Sequence, residues 1–171
     1  MSDDTHRSVV WAPWRMQYIR EAKEDGCIFC NRIGRTDDRD DLILFRGEYG
    51  FIIMNRYPYN NGHLMAAPNR HLGDITELND DESGELFSLV QLSVRMLKKT
   101  MNPDGFNIGV NMGAVAGAGV ADHVHLHIVP RWMGDTNFMP VVGDVKVVSE
   151  HILATYDSLL HSLKSLLKEQ S

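Results

Sequence analysis

Apolar residues recur along this chain in two rhythms, one short and one helical. Leu42-Ile43-Leu44-Phe45, Gly50-Phe51-Ile52-Ile53-Met54 and His63-Leu64-Met65-Ala66-Ala67-Pro68 are short runs bounded by polar or turn-forming residues, the signature of strands. Arg46-Gly47-Glu48-Tyr49 separates the first two as a hairpin does, and the stretch from Asn55 to Gly62, with Tyr57-Pro58-Tyr59 in it, reads as a loop. After the turn Asn102-Pro103-Asp104-Gly105, the run Phe106 to Met112 alternates, which puts Asn107, Gly109 and Asn111 on one face of a strand and the apolar residues on the other. The helical rhythm of Leu86, Leu89, Val90, Leu92, Val94 and Leu97 predicts an amphipathic core helix from about Asp81 to Lys99. Asn79 or Asp80 caps it, with acids at its positive end and Lys98-Lys99 at its negative end. Gly134 to Phe138 reads as a loop and Val141 to Val148 as a short strand. A second helix begins at Ser149 or Glu150, and its Ile152, Leu153, Leu159, Leu160, Leu163 and Leu166 form a stripe for core or dimer packing.

The chemistry concentrates in Asp122 to Arg131. His123, His125 and His127 alternate with Val124 and Leu126 ahead of Ile128-Val129, so a strand here would carry imidazoles on one face and core on the other. Neighbouring imidazoles would stand about 6.5–7 Å apart, a reach that spans a phosphate chain or a metal and an adjacent phosphate. One such histidine would read as a satisfied surface residue, whereas three in register favour a site. The small-residue loop Gly113 to Gly119 leads into them and can close backbone N–H groups around an anion.

Cys27-Ile28-Phe29-Cys30 contains the only cysteines. On its own the motif fits a redox pair, half of a zinc site or two inert thiols, and no strand pattern precedes it as a redox motif would require. Zinc wants four nitrogen or sulfur ligands, so two histidines would have to come from elsewhere. Further upstream, Trp11, Trp14, Tyr18 and Ile19 lie among Arg15 and Arg20. They suit a packed flap, a dimer contact or a surface for base stacking.

At 171 residues and 43% hydrophobic content, the chain suits one domain, residues 1–171, with an N-terminal arm over 1–25 and the C-terminal helix over 149–171. A net charge of −6 argues against a general nucleic-acid surface, so any phosphate binding must be local. The first seven residues lack the order of a signal peptide and no apolar run has the length of a membrane span. The expectation is a cytoplasmic protein with no membrane partner.

His123 to Val129 matches His-φ-His-φ-His-φ-φ, with φ apolar, at every position, and the chain thereby resembles the histidine triad family. Trp11-Ala12-Pro13-Trp14-Arg15, Tyr57-Pro58-Tyr59-Asn60-Asn61-Gly62-His63 and Pro130-Arg131-Trp132 resemble the bacterial branch related to diadenosine tetraphosphate phosphorylases. The resemblance implies an α+β fold, an antiparallel sheet of about five strands with two main helices, and a homodimer whose sheet runs across both copies. It implies a structural zinc held by Cys27, Cys30, His71 of Pro68-Asn69-Arg70-His71, and His123. Asn55, eight residues before His63, stands where the family has an acid on the ribose hydroxyls, and Asn111 matches an asparagine that touches the nucleotide. Hydrolases like the fragile histidine triad protein carry Gln-Thr or Gln-Ser four and three residues before the first triad histidine. Gly119 and Val120 stand there instead, so phosphates would rely on backbone N–H groups from Gly117 onward, on His127 and on Arg131.

The implied function is nucleotidyl transfer from a dinucleoside polyphosphate, by phosphorolysis or hydrolysis, through a covalent His125–AMP intermediate. His127 would bond phosphate oxygens or protonate the leaving group, and His63 would help fix the reactive tautomer. No catalytic metal is required, with Mg²⁺ accompanying the polyphosphate. The alternatives are a nucleoside phosphoramidase and a nucleotide-binding regulator with incidental catalysis. His151 and His161 receive no catalytic role.

Overall fold

A computed structural model describes residues 25–135 and 151–169. The expectations for the aromatic arm and for a strand at Val141–Val148 lie outside the described residues. Each short apolar run becomes a strand: β1 Ile43–Arg46, β2 Gly50–Met54, β3 Leu64–Pro68, β4 Gly105–Val110 and β5 Leu126–Arg131. They form one antiparallel sheet in the order β1-β2-β3-β5-β4. All residues of β2 and β3 are buried, as central strands covered on both faces must be. The α+β architecture with a five-stranded sheet is as expected.

Among the described residues the α-helices are α1 Ile28–Ile33, the single turn α2 Asp38–Asp41, α3 Asp80–Met101 and α4 Ile152–Lys168. α3 lays Leu86, Leu89, Val90, Met96 and Leu97 on β2, β3 and β5, and α4 adds Tyr156, Leu159 and Leu163 beside it. Burial of such side chains contributes roughly 1.5–3 kcal/mol each and is what holds the helices down. Asn79 caps α3: its side chain accepts from the Glu82 N–H, while a Glu82 carboxylate oxygen accepts from the Asn79 N–H, each at 2.9 Å. The helix runs from one residue before the predicted start to two beyond the predicted end. α4 starts at Ile152 because His151 is its cap, the ring accepting from the Leu153 N–H at 3.3 Å. Among the described residues, no helix is long and apolar enough to cross a membrane.

Two expectations change. The triad is not one uninterrupted strand: β5 begins at Leu126, and the Val124 N–H is drawn to the Leu72 carbonyl at 2.7 Å, outside the sheet. β4 stops at Val110, two residues short of the predicted run, and Ile108 and Val110 on its apolar face are 49% and 36% exposed while Phe106 packs against the core.

Arg70 donates to both Glu82 carboxylate oxygens, at 2.9 and 2.8 Å, and to the Glu77 carbonyl at 2.6 Å, which ties the Pro68–His71 segment to the start of α3. The guanidinium is the main reason that Glu82 is held down to about 2. A depressed carboxylate stabilises the fold above its unfolded pKa and loses that contribution as pH falls from about 4.5 to about 2. Glu82→Gln is expected to be less stable at pH 7 and to lose less stability across that window. Denaturant midpoints at pH 7 and pH 3 check this, and equal pH slopes for both proteins would contradict it.

Candidate active site and metal centre

Cys27 precedes α1 and Cys30 lies one turn into it, which turns both thiols toward the chain just ahead of β5. There Cys27 Sγ lies 3.4 Å and Cys30 Sγ 3.6 Å from His123 Nδ1, and Cys30 Sγ lies 3.4 Å from His71 Nδ1. One ligand atom from each of the four residues falls within 4.8 Å of all the others. A tetrahedral zinc ion with sulfur at 2.3 Å and nitrogen at 2.0–2.1 Å has sulfur-to-nitrogen edges of about 3.5 Å, so the spacing fits. The tautomer of His123 fits as well. Its Nε2–H donates to the Pro68 carbonyl at 2.9 Å, leaving the Nδ1 lone pair turned to the thiols, as metal-bound histidines require. Burial and the adjacent Cys27 push the Cys30 thiol up, a strain that a cation relieves by taking the thiolate. These four residues can hold a metal. Their sulfur and nitrogen donors suit zinc and not Mg²⁺.

His123 also shapes the neighbouring site through its backbone. The His125 Nδ1–H donates to the His123 carbonyl at 2.8 Å, which leaves the lone pair on Nε2. His125 is 3% exposed, and burial pushes its pKa below the ordinary histidine range, with the carbonyl bond opposing. The imidazole is therefore neutral near pH 7, the form in which Nε2 can attack. The Phe29 ring lies against both His125, at 4.9 Å between centroids, and His123, at 5.1 Å. His127 stands edge-on to His125, at 4.7 Å, and His63 Nε2 is 3.0 Å from His127 Nδ1. His63 thus touches the third triad histidine, while the tautomer of the second is held by the backbone. Gly62 permits this entry: its φ is +77°, and a Cβ would lie 2.6 Å from Met101 Sδ.

A cavity of about 790 Å³ opens over these rings, large enough for a nucleotide. His125, His127, Asn55, Tyr59, Gly119 and Val120 line it, together with Phe29 and Arg32 of α1. The HIT domain profile matches residues 36–133, more than half of the chain. The protein belongs to the HIT family. It is 39% identical to an AP-4-A phosphorylase of Mycobacterium tuberculosis over 149 residues, covering 82% of this chain and 76% of that one. An uncharacterized HIT-like protein of Methanocaldococcus jannaschii is 36% identical, covering 71% of this chain and 91% of its own. A zinc-bound histidine triad protein of Mycobacterium smegmatis has the same fold, with a TM-score of 0.68 at 24% identity, covering 84% and 97% of the two chains. A hypothetical histidine triad nucleotide-binding protein of Sulfolobus tokodaii superposes with a TM-score of 0.64 at 26% identity over 84% and 93% of the two chains.

Against this HIT frame, not every expected nucleotide contact reaches the cavity. Asn111 and Gly117 do not line it. Neither does Arg131, whose guanidinium grips Asp135 at 2.6 and 2.8 Å and Asn107 at 2.8 Å, bracing the end of β5. Phe29 and Tyr59 are parts of the site to which the sequence pattern assigned no role. Phe29 could have been found from its place between the two cysteines. Tyr59 stacks on His63, with centroids 4.9 Å apart and planes at 22°, a contact made across a loop and without a pattern of its own.

Proposed function

We propose that this HIT protein transfers a nucleotidyl group from a dinucleoside polyphosphate, with His125 as the nucleophile. The observation that carries the reading is the locked tautomer of His125, which turns a neutral Nε2 lone pair to a nucleotide-sized cavity. In the first step Nε2 bonds to the α-phosphorus as the bridging P–O bond breaks, and the electron pair leaves with the remaining nucleoside polyphosphate. In the second step an acceptor oxygen bonds to the phosphorus and the P–N bond returns its pair to Nε2. His127 donates to the phosphoryl oxygens, Asn55 faces the ribose, and the Gly119–Val120 backbone meets the phosphates. The similarity to the mycobacterial AP-4-A phosphorylase supports this substrate class.

Zinc is the metal that the four ligands suit, and bound there it would brace the approach to β5 and take no part in the phosphoryl chemistry. Mg²⁺ belongs to this reading only as a companion of the substrate's phosphates. Residues 1–171 act as one HIT domain, and a second copy covers the open edge of β4, which exposes Ile108 and Val110; sedimentation as a monomer at micromolar concentration would remove that pairing. A cytoplasmic setting suits the reading, since the paired thiols must stay reduced to hold an ion.

Incubation with diadenosine tetraphosphate is expected to consume it and to leave an acid-labile adenylyl group on the His125 peptide, detected by mass spectrometry after an alkaline quench. Neither turnover nor adduct would sink the reading and turn attention to P–N substrates.

A further inference from the structure

We propose that Asn60 and Asp135 are positioning residues for the third triad histidine: together they fasten the turn from Tyr59 to His63 onto the end of β5 and so set where the His127 ring stands. The proposal adds two residues to the nucleotidyl-transfer reading and rests on it for its kinetic part.

The need for a fastening comes from the sheet. β3 and β5 pair through Leu64–Ile128, Met65–His127 and Ala66–Leu126. Just ahead of Leu64 lies a turn, closed by the His63 N–H donating to the Asn60 carbonyl at 3.1 Å. Gly62, at φ +77°, takes the third place of that turn, where a positive φ calls for glycine. Two groups of the turn bear on the imidazoles. The Tyr59 N–H donates to His63 Nδ1 at 3.0 Å, and the Tyr59 ring lies 4.9 Å from His63 and 5.7 Å from His127 between centroids. His63 Nε2 meets His127 Nδ1 at 3.0 Å. His127 rides on β5 and His63 on the turn, so their separation depends on how the turn is held to the strand.

Asn60 supplies that hold. Its side-chain amide carries two hydrogens, and each reaches its own acceptor: the Pro130 carbonyl at 3.1 Å and Asp135 Oδ2 at 2.9 Å. Pro130 lies two residues beyond Ile128, where the β3–β5 pairing ends. The Asn60 Oδ1 accepts from the Asn61 N–H at 3.1 Å, which fixes the way the amide faces. Asp135 is in turn a fixed acceptor. Arg131 donates to both of its oxygens, at 2.6 and 2.8 Å, and the Trp132 N–H adds a bond at 3.1 Å. The carboxylate side chain is 9% exposed, and the guanidinium holds it down to about 2, so it stays charged across the neutral range. Asparagine is the residue this place requires. An aspartate of the same shape would donate to neither acceptor and would set a second negative charge against the first.

Neither Asn60 nor Asp135 lines the cavity, so both act through the imidazoles. In the transfer reading His127 donates to the phosphoryl oxygens, a contact that counts most as charge builds in the transition state. Misplacing such a group by about 1 Å costs on the order of 10²-fold in rate. Asn55 and the Gly119–Val120 backbone still line the cavity for the unreacted substrate. Losing the fastening should therefore be read in kcat and not in KM.

Asn60→Asp in the full chain tests this. The kcat for diadenosine tetraphosphate should fall by about 10–100-fold, with KM changed by less than about threefold. Two-bond ¹H–¹⁵N spectra of the histidine-labelled protein give a readout that does not depend on turnover: the His63 and His127 rings should shift while His71 keeps its native signals. Asp135→Asn keeps the shape and removes the charge; it stands in should the first variant fail to fold, and it should move the same quantities in the same sense. A lower melting temperature with native kcat and unmoved His127 signals would make the contact one of stability alone and overturn the proposal. Shifted rings, with no consumption of diadenosine tetraphosphate by the native protein, would uphold the positioning and defeat the transfer reading.

Discussion

Replacing His125 by alanine is expected to lower turnover of diadenosine tetraphosphate by on the order of 10⁴–10⁶-fold while the substrate still binds. The loss equals roughly 5–8 kcal/mol of barrier, the scale of a nucleophile that splits one displacement into two. Binding should persist because Asn55, His127 and the Gly119–Val120 backbone remain around the cavity. The substitution also removes a ring that packs on Phe29, so the folded state is checked by thermal unfolding beside the kinetics. His125→Gln, closer in volume, should fold better and be equally inactive. Activity within tenfold of native in either variant would mean that no covalent step passes through this residue.

The second large effect is expected at the thiol cluster. Cys27→Ser should abolish zinc binding and lower the melting temperature of the zinc-loaded protein by about 4–20 °C, since a filled cluster would tie residues 27–30 to 71 and to 123 much as a disulfide closes long loops, for about 2–5 kcal/mol. Metal content by mass spectrometry and a thermal melt read both consequences. Retained zinc with an unshifted melt would show that the four residues do not form a working centre. Turnover should fall too, because a His123 ring released from Cys27 holds its carbonyl less firmly against His125.

Much of this architecture is legible in the residue pattern, and the remainder shows where pattern stops. β2, β3 and α3 lie where their apolar periods place them, since burial on both faces or on one stripe leaves few alternatives. The cluster was legible only because Cys27-Ile28-Phe29-Cys30 and the triad matched a known family; nothing in the spacing says that Pro68 will accept from His123 Nε2. Alternation misled at Val124, whose N–H bonds Leu72 and delays β5 by several residues. On β4 alternation sorts the residues into two faces but does not say that Ile108 and Val110 stay exposed. Arg131 looked like a phosphate ligand by charge and proximity, yet Asp135, four residues on, claims it first. The donor that sets His63 is a backbone N–H, which carries no residue identity and so leaves no mark in a sequence.

His123 commits its side chain to one centre and its carbonyl to the other. In evolutionary terms the two cannot drift apart: a change that adapts the thiol cluster to another ion also re-aims the His125 ring, and selection on either acts on both. Variation that alters what the protein accepts should accumulate instead at Arg32, Asn55 and Tyr57, which line the cavity and are not among the four metal-ligand candidates. A library built to redirect this scaffold would begin there.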